Sequence, residues 1–324
     1  MNDITLSIVI PTKNRGSFLR ETLECILRDL EEEIEIVIVD GGSTDGTDSV
    51  VMEFKSQYEF INYIRIIDLL GFDAELDLGV TSSKGHYVWV FSDDDIIQGR
   101  DINHIVRHLN SSLDIELLLV NSCIWNKDLR INLQSKFVSK PDMTSNNMNL
   151  LFDNFIDYLS FIGGCIIKKE KWITVEVSKY FGTLFVHVGV IFSHKSLNWQ
   201  WLERPIVKIR YGNASWSAKA QEIWLKKWPN LLMSFETVSQ ILRDKKVKIS
   251  SFSAFKKLVF FKAVNCYNPQ VLGTVDQVKN QSMYRVIVYI VNMLPKLMCY
   301  QMAYLFASLT NKSIMIADLK SARK

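Results

Sequence analysis

The chain lacks the fingerprints by which the commonest α/β chemistries are recognised. Its 324 residues contain no GxxxxGK[ST], and Gly41-Gly42 with Gly46 does not make a GxGxxG. His104 and His108 share a helical face but miss the glutamate of HExxH, so an exposed helix face is the reading they support. Cysteine is sparse: Cys25, Cys123, Cys165, Cys266 and Cys299 are odd in number and show no CxxC spacing. That fits neither a disulfide framework nor a zinc site, and points to a reducing compartment. No uninterrupted run of about twenty apolar residues occurs. The nearest approach, Val286 to Leu309, is broken by Asn292, Pro295, Lys296 and Gln301. A basic stretch followed by a long apolar one is missing from the first residues, so no signal peptide is expected. The net charge of +3 is too small to indicate a nucleic-acid partner. What remains is ample for a packed core: 48% hydrophobic and 23% charged residues. The length suits one large α/β domain with an appended segment.

The first 120 residues alternate between two periodicities. Leu6–Ile10, Ile34–Val39, Tyr63–Ile67, Tyr87–Phe91 and Leu117–Val120 read as buried strands. Between them Phe18, Leu19, Leu23, Ile26, Leu27 and Leu30 fall at helical spacing, as do Val50, Val51, Phe54 and Tyr58, and then Ile102, Ile105, Val106 and Leu109. Such alternation predicts a mostly parallel sheet covered by helices. Past about residue 125 the pattern loosens, and Thr144–Asn149 reads as loop. From about Ser215 onward the chain reads as helical, rich in Trp and Lys, without strand signals.

Polar clusters follow three of the strands: Pro11-Thr12-Lys13-Asn14-Arg15, Asp40-Gly41-Gly42-Ser43-Thr44-Asp45-Gly46, and Ser92-Asp93-Asp94-Asp95. Open α/β sheets bind ligands at the carboxyl ends of their strands, so three clusters distant in sequence are expected to share one site. The Asp40–Ser43 segment has a plainer reading as a strand-to-helix turn, glycine supplying positive φ and Ser43 or Thr44 a cap. Asp93-Asp94-Asp95 is harder to read as a mere solvated turn. Three adjacent carboxylates repel one another unless a cation joins them, and hard oxygen ligands suit Mg²⁺ or Mn²⁺.

"LSIVIPTKNRGSFLRETLECIL", "IEIVIVDGGSTDGT" and "GHYVWVFSDDDII", in this order and spacing, resemble the nucleotide-sugar half of glycosyltransferase family 2. Later segments, "IGGCIIKKEKW", "YFGTLFVHVGVIFSH" and "IVKIRYGNASW", more loosely resemble the abequosyltransferase-type branch that builds bacterial O-antigen side chains. The resemblance implies a GT-A fold, Rossmann-like, over residues 1–214, with a nucleotide-sugar half (1–120) and an acceptor half (121–214); the helical C-terminal part is the separate region 215–324. It also implies a divalent metal, a nucleoside-diphosphate-sugar donor and an inverting displacement. By position Pro11, Thr12, Asn14 and Arg15 line the nucleotide pocket, Asp40 contacts base or ribose, and Gly41 and Ser43 lie beside it. Asp94 and Asp95 fall on the last two acidic positions of the metal motif, Asp94 being the better ligand.

Departures from the family pattern carry their own expectations. Lys13 replaces a Tyr and adds charge near the diphosphate. Gly41 replaces the second aspartate after strand two, which leaves base identity open. Ser92 replaces the first acidic residue of the metal motif and brings Asp93 into the donor and metal contacts. The family's Arg before the fourth strand falls at Leu76, with Asp73, Glu75 and Asp77 around it, and Asp73 joins the donor contacts. The acidic base expected past residue 180 is missing, and His187 stands near its place. An imidazole of ordinary pKa suits a general base, and a buried structural histidine is the other reading.

Trp199, Trp201, Trp216, Trp224 and Trp228 suit sugar stacking, a lipid interface or core packing. The Lys-rich, aromatic C-terminal part reads either as a helix lying in a membrane interface or as an ordinary helical subdomain. The expected enzyme moves a sugar to a glycan, polyprenyl-diphosphate-linked, for bacterial O-antigen or capsule. It works in the cytoplasm, peripheral on the inner membrane. The rivals are a nucleotide-sugar-binding protein without turnover and a sugar nucleotidylyltransferase. The latter needs a GxGxR-type loop that Pro11-Thr12-Lys13 is not.

Overall fold

The computed structural model describes residues 4–67, 70–112, 114–213, 219–270 and 281–322. The chain forms two units, Met1–Ile124 with Ser135–Arg210, and Trp125–Gln134 with Tyr211–Lys324.

In the first unit β1 (Leu6–Thr12), β2 (Ile34–Asp40), β3 (Ile61–Arg65) and β4 (Tyr87–Val90) alternate with helices. These are α1 (Gly16–Leu27), α2 (Thr47–Gln57), α3 (Phe72–Ser82) and α4 (Gly99–Ser111). β1 pairs in parallel with β2 and β4, and β2 with β3. Helices connect these parallel strands, which is why β1, β2 and β4 are buried along their whole length and read as mainly apolar runs, with buried Ser7 of β1 donating to Glu35 of β2. α1 and α4 then turn Leu19, Leu23, Ile26, Ile102, Ile105 and Leu109 into that core.

β5 (Leu117–Asn126) runs on into β6 (Asn132–Gln134), which returns against it. Next come β7 (Met143–Ser145), α5 (Met148–Phe155), β8 (Cys165–Lys168), α6 (Lys169–Ile173), α7 (Val186–Ser193) and β9 (Trp199–Tyr211). The sheet order is β3-β2-β1-β4-β8-β5-β9-β7. β8 is antiparallel to β4 and β5, and β7 to β9. The sheet is therefore mixed, parallel over the half that carries the three polar clusters.

Two local expectations change. Thr144–Asn149 is not loop: Thr144 and Ser145 belong to β7, and the Asn147 side chain caps α5 by accepting the Asn149 and Leu150 amides. The strand expected over Tyr63–Ile67 spans Ile61–Arg65, two residues earlier. α3 has no counterpart in the sequence reading. Its contact with the sheet runs through Gly79, where a Cβ would come within 2.5 Å of Val9 and 2.7 Å of Val39. A helix that docks through glycine shows little apolar periodicity.

The second unit is helical over its described C-terminal part: α8 (Ala220–Glu222), a π-turn (Ile223–Lys227), α9 (Trp228–Met233) and α10 (Gln240–Val247). α11 (Ser251–Ala263), α12 (Gln281–Met293), α13 (Lys296–Leu309) and α14 (Ser313–Ala322) follow. Its core is built on α11, whose Ala254, Leu258 and Phe261 meet Tyr284 and Val291 of α12 and Ala303 of α13.

Candidate active site

The three polar clusters meet at the carboxyl ends of β1, β2 and β4, stitched together by hydrogen bonds. The Gly41 amide donates to the Thr12 carbonyl (3.0 Å) and the Asn14 amide to Ser43 Oγ (2.8 Å). The Thr44 amide donates to Asn14 Oδ1 (2.7 Å) and the Arg15 amide to Thr47 Oγ1 (3.2 Å). Asn14 takes a positive φ of 54°, a conformation that asparagine tolerates better than most residues. The first loop joins the third through side chains: Thr12 Oγ1 donates to Asp93 Oδ2 at 2.8 Å. Arg15 Nε lies 2.9 Å from Asp93 Oδ1, and its Nη2 pairs with Asp94. Ser92 Oγ donates to the other Asp94 oxygen.

The acidic residues do different work. Asp93 and Asp94 share Arg15, and Asp93 is pushed up to about 7, chiefly by burial, while Arg15 and Thr12 oppose the shift and Asp94 adds to it. Asp95, placed among the metal ligands by its sequence position, accepts the Arg210 backbone amide at 2.8 Å and is 3% exposed. Burial first, then Asp94, raises it well above the usual carboxylate range. Asp95 therefore braces the loop from inside, buried rather than presented to solvent as its sequence position had suggested.

The same loop is held by residues that the sequence reading did not single out. Thr22 Oγ1 on α1 lies 3.1 and 2.9 Å from the Asp93 and Asp95 carbonyls. Arg210, at the end of β9, donates from Nε to the Asp94 carbonyl at 2.9 Å and pairs with Glu21. Its guanidinium and that of Arg15 both lie over the Phe18 ring, at 5.1 and 4.9 Å from its centroid. Arg210 was in plain sight inside "IVKIRYGNASW", but 115 residues separate it from Asp95 and only the fold joins them.

Four expected contacts are corrected. Asp40 is fully buried, accepting Ser43 N (2.8 Å), Ser43 Oγ (2.6 Å) and Tyr63 Oη (2.7 Å). It shapes the loop after β2 and exposes no atom to a base or ribose. Ser43, 2% exposed, is spent on the same turn. Asp73 caps α7 from α3, accepting the Leu184 amide at 2.9 Å and the Val186 amide at 3.2 Å. His187, 1% exposed in α7, lies 2.9 Å through Nε2 from the Leu159 carbonyl, an acceptor that fixes Nε2 as the donor. Burial pulls its pKa down to about 4. Sealed in α7 with Nε2 committed to the Leu159 carbonyl, the imidazole presents no nitrogen to an acceptor in solvent, which fits the reading of a buried structural histidine.

Pro11 is buried within β1 opposite Val39, whereas Lys13 and Asn14 are exposed and Arg15 half-buried. Gly41 makes room for a carboxylate from another element: a Cβ there would lie 3.0 Å from both Glu75 oxygens. Glu75, on α3, is raised by burial and held down by Lys13 and by the Gly71 amide. Trp199 and Trp201 are core, packed on Phe155 at 5.9 and 4.7 Å. Trp228 is buried against Trp224. Trp216 lies outside the described residues.

Among the described residues no three His, Cys, Asp or Glu side chains converge on one point, so no all-protein metal cage is built. A nucleotide-associated Mg²⁺ needs less, typically one or two carboxylates completed by phosphate oxygens and water. Asp93 and Asp94 meet that demand in donor type, on a loop braced from α1 and β9. Arg15 already bridges them, so a cation bound there shares the two carboxylates with the guanidinium or displaces it.

The family model "Glycosyl transferase family 2" matches residues 7–165. Abequosyltransferase RfbV of Salmonella typhimurium is 28% identical over 231 residues, covering 67% of this chain and 69% of that protein. S. aureus TarS 1–349 in complex with UDP superposes with a TM-score of 0.57 at 14% identity, over 99% of this chain and 91% of that one. Mannosyltransferase PcManGT from Pyrobaculum calidifontis, in complex with GDP-Man and Mn²⁺, superposes with a TM-score of 0.54 at 14% identity, over 100% of this chain and 87% of that one. Residues 7–165 are thus a glycosyltransferase family 2 domain on a GT-A fold, and the chain is a glycosyltransferase.

Proposed function

We propose that this enzyme transfers a sugar, with inversion, from a nucleoside-diphosphate donor to a glycan acceptor carried on polyprenyl diphosphate, at the cytoplasmic face of the inner membrane. The observation that carries the reading is the joining of Thr12, Arg15, Asp93 and Asp94 at the carboxyl ends of β1 and β4. The abequosyltransferase relative favours a role in O-antigen or capsule synthesis. The UDP, and the GDP-Man with Mn²⁺, in the two superposed structures favour a nucleoside-diphosphate sugar and a divalent metal.

In this reading Asp94, assisted by Asp93, holds Mn²⁺ or Mg²⁺, which when bound supplies positive charge to the departing diphosphate. Exposed Lys13 and the Arg15 guanidinium add charge on the same side. Gly41 and Glu75 form the wall beside Lys13 and select the nucleoside. The proton of the acceptor hydroxyl goes to a group other than His187. A second reading, donor binding without transfer, draws on the Arg15 bridge, which neutralises Asp93 and Asp94 without a metal.

Panels of UDP-, GDP-, dTDP- and CDP-sugars with Mn²⁺ or Mg²⁺ decide between the two. The expected result is metal-dependent hydrolysis or transfer for one donor class, falling about 10²-fold or more in Asp94→Asn. Turnover that is equal in EDTA and in Asp94→Asn overturns the metal assignment. Metal-independent binding with no turnover of any donor supports the second reading.

A further inference from the structure

α12 and α13 each bury one face against α11: Tyr284, Ile287 and Val291 from the first, Cys299, Ala303 and Ala307 from the second. A helix that has met its core through one stripe ordinarily turns a polar face outward. These two do not. On α12, Val286, Tyr289, Ile290 and Met293 are 50%, 67%, 44% and 70% exposed. On α13, Leu297, Leu305 and Leu309 are 66%, 61% and 76% exposed. Apolar surface of this extent marks an interaction site.

The charges around it say what it meets. Residues 281–309 contain no Asp or Glu, while Arg285 and Lys296 are exposed among the apolar side chains and Lys312 follows them. Residues 211–324 carry seventeen Lys and Arg against five Asp and Glu, whereas residues 1–210 carry twenty-one against thirty. A near-neutral chain has thus put its positive charge into the part that exposes the apolar faces, as a unit built for an anionic surface does.

We infer that the outward faces of α12 and α13 dock into the interface of an anionic lipid membrane, with Arg285, Lys296 and Lys312 at the headgroups. A second copy of the chain satisfies the apolar faces but sets basic residues against basic ones, with no acid in the segment to pair them. Anionic lipid satisfies both. The helices lie in the interface rather than span it. Their 13 and 14 residues reach about 20 Å each, against a hydrocarbon core of about 30 Å. No single helix among the described residues is long and apolar enough to cross; the two reach that length and composition only together, and the pair is bent by 112° at the Leu294-Pro295 break. The docking deepens the membrane location proposed above and uses none of the residues of the sugar-transfer site, so the two readings fail separately.

The test is co-sedimentation of the full-length chain with phosphatidylglycerol–phosphatidylethanolamine vesicles and with phosphatidylcholine vesicles. Partitioning is expected to be about tenfold or more stronger on the anionic vesicles and to weaken at high salt. The triple variant Tyr289→Glu, Leu297→Glu, Leu305→Glu is expected to lose it about tenfold or more. Arg285→Gln with Lys296→Gln is expected to lose the preference for anionic lipid but keep residual binding. All substituted side chains are exposed, so circular dichroism and donor hydrolysis should match the parent. Equal pelleting with both vesicle types, or with the triple variant, overturns the inference. So does a dimer in sedimentation velocity that the triple variant dissolves while no vesicle binding occurs, which assigns the face to a second copy.

Discussion

Burial decides the roles of single residues at this site more than residue type does. Asp40, Asp73, Asp93 and Asp95 are all carboxylates on or beside the sheet edge, yet three of them, Asp40, Asp73 and Asp95, accept backbone amides. A carboxylate that accepts backbone amides makes a strong local hydrogen bond and has little left for a ligand. His187 illustrates the same rule and gives a pH prediction. Its pKa falls from 6.5 to about 4 in the folded chain, so as pH drops below 6.5 the unfolded chain takes up a proton that the native one refuses. Native stability from this group is therefore full above pH 6.5 and is lost toward about pH 4, by up to about 3 kcal/mol. In urea titrations His187→Leu should be about 1–3 kcal/mol less stable at neutral pH, because the Leu159 carbonyl loses its donor. That deficit should shrink in acid, while the pH profile of kcat keeps the parent's shape. A deficit constant with pH, or a lost limb in the kcat profile, contradicts this assignment.

The elements that brace the site lie outside its three polar loops. α1 and the end of β9 clamp the Asp93–Asp95 loop through Thr22 and Arg210, and α3 lends Glu75 to the space over Gly41. Arg210 joins the Asp94 carbonyl, Glu21 and the Phe18 face with one planar group, which lysine cannot imitate. Arg210→Lys is accordingly expected to lower kcat/KM about tenfold through a displaced carboxylate loop, with the far-ultraviolet circular dichroism unchanged. A matched loss of metal affinity distinguishes displacement from simple destabilisation, and unchanged kinetics would show that the loop holds itself. Strands β1, β2 and β4 were legible because buried parallel strands are mainly apolar runs, rich in Ile and Val. α3 was not, because its docking residue is Gly79 and its buried face includes Asp73 and Glu75.

For the molecule as a whole, the helices with outward apolar faces are also part of a core. A chain ending at residue 280 loses Tyr284, Ile287, Val291 and Cys299 from the cluster that covers Leu258 and Phe261 on α11. Each large apolar side chain so uncovered costs about 1.5–3 kcal/mol. The truncated chain is expected to aggregate or to elute in the void volume of a size-exclusion column. Recovery of a monodisperse, cooperatively melting product would mean that α12–α14 contribute little to the fold. The sequence by itself determined the alternating α/β half, the three polar loops at the ends of its strands and the helical character past residue 215, because periodicity and turn chemistry are local properties. It did not determine which of the polar residues meet. The approach of Arg210 to the Asp94–Asp95 backbone, the cap that Asp73 makes on α7 and the sealing of His187 join positions 28 to 116 residues apart. Whether a carboxylate or an imidazole is a ligand or a brace depends on its exposure and partners, and those exist only once the sheet has closed around them.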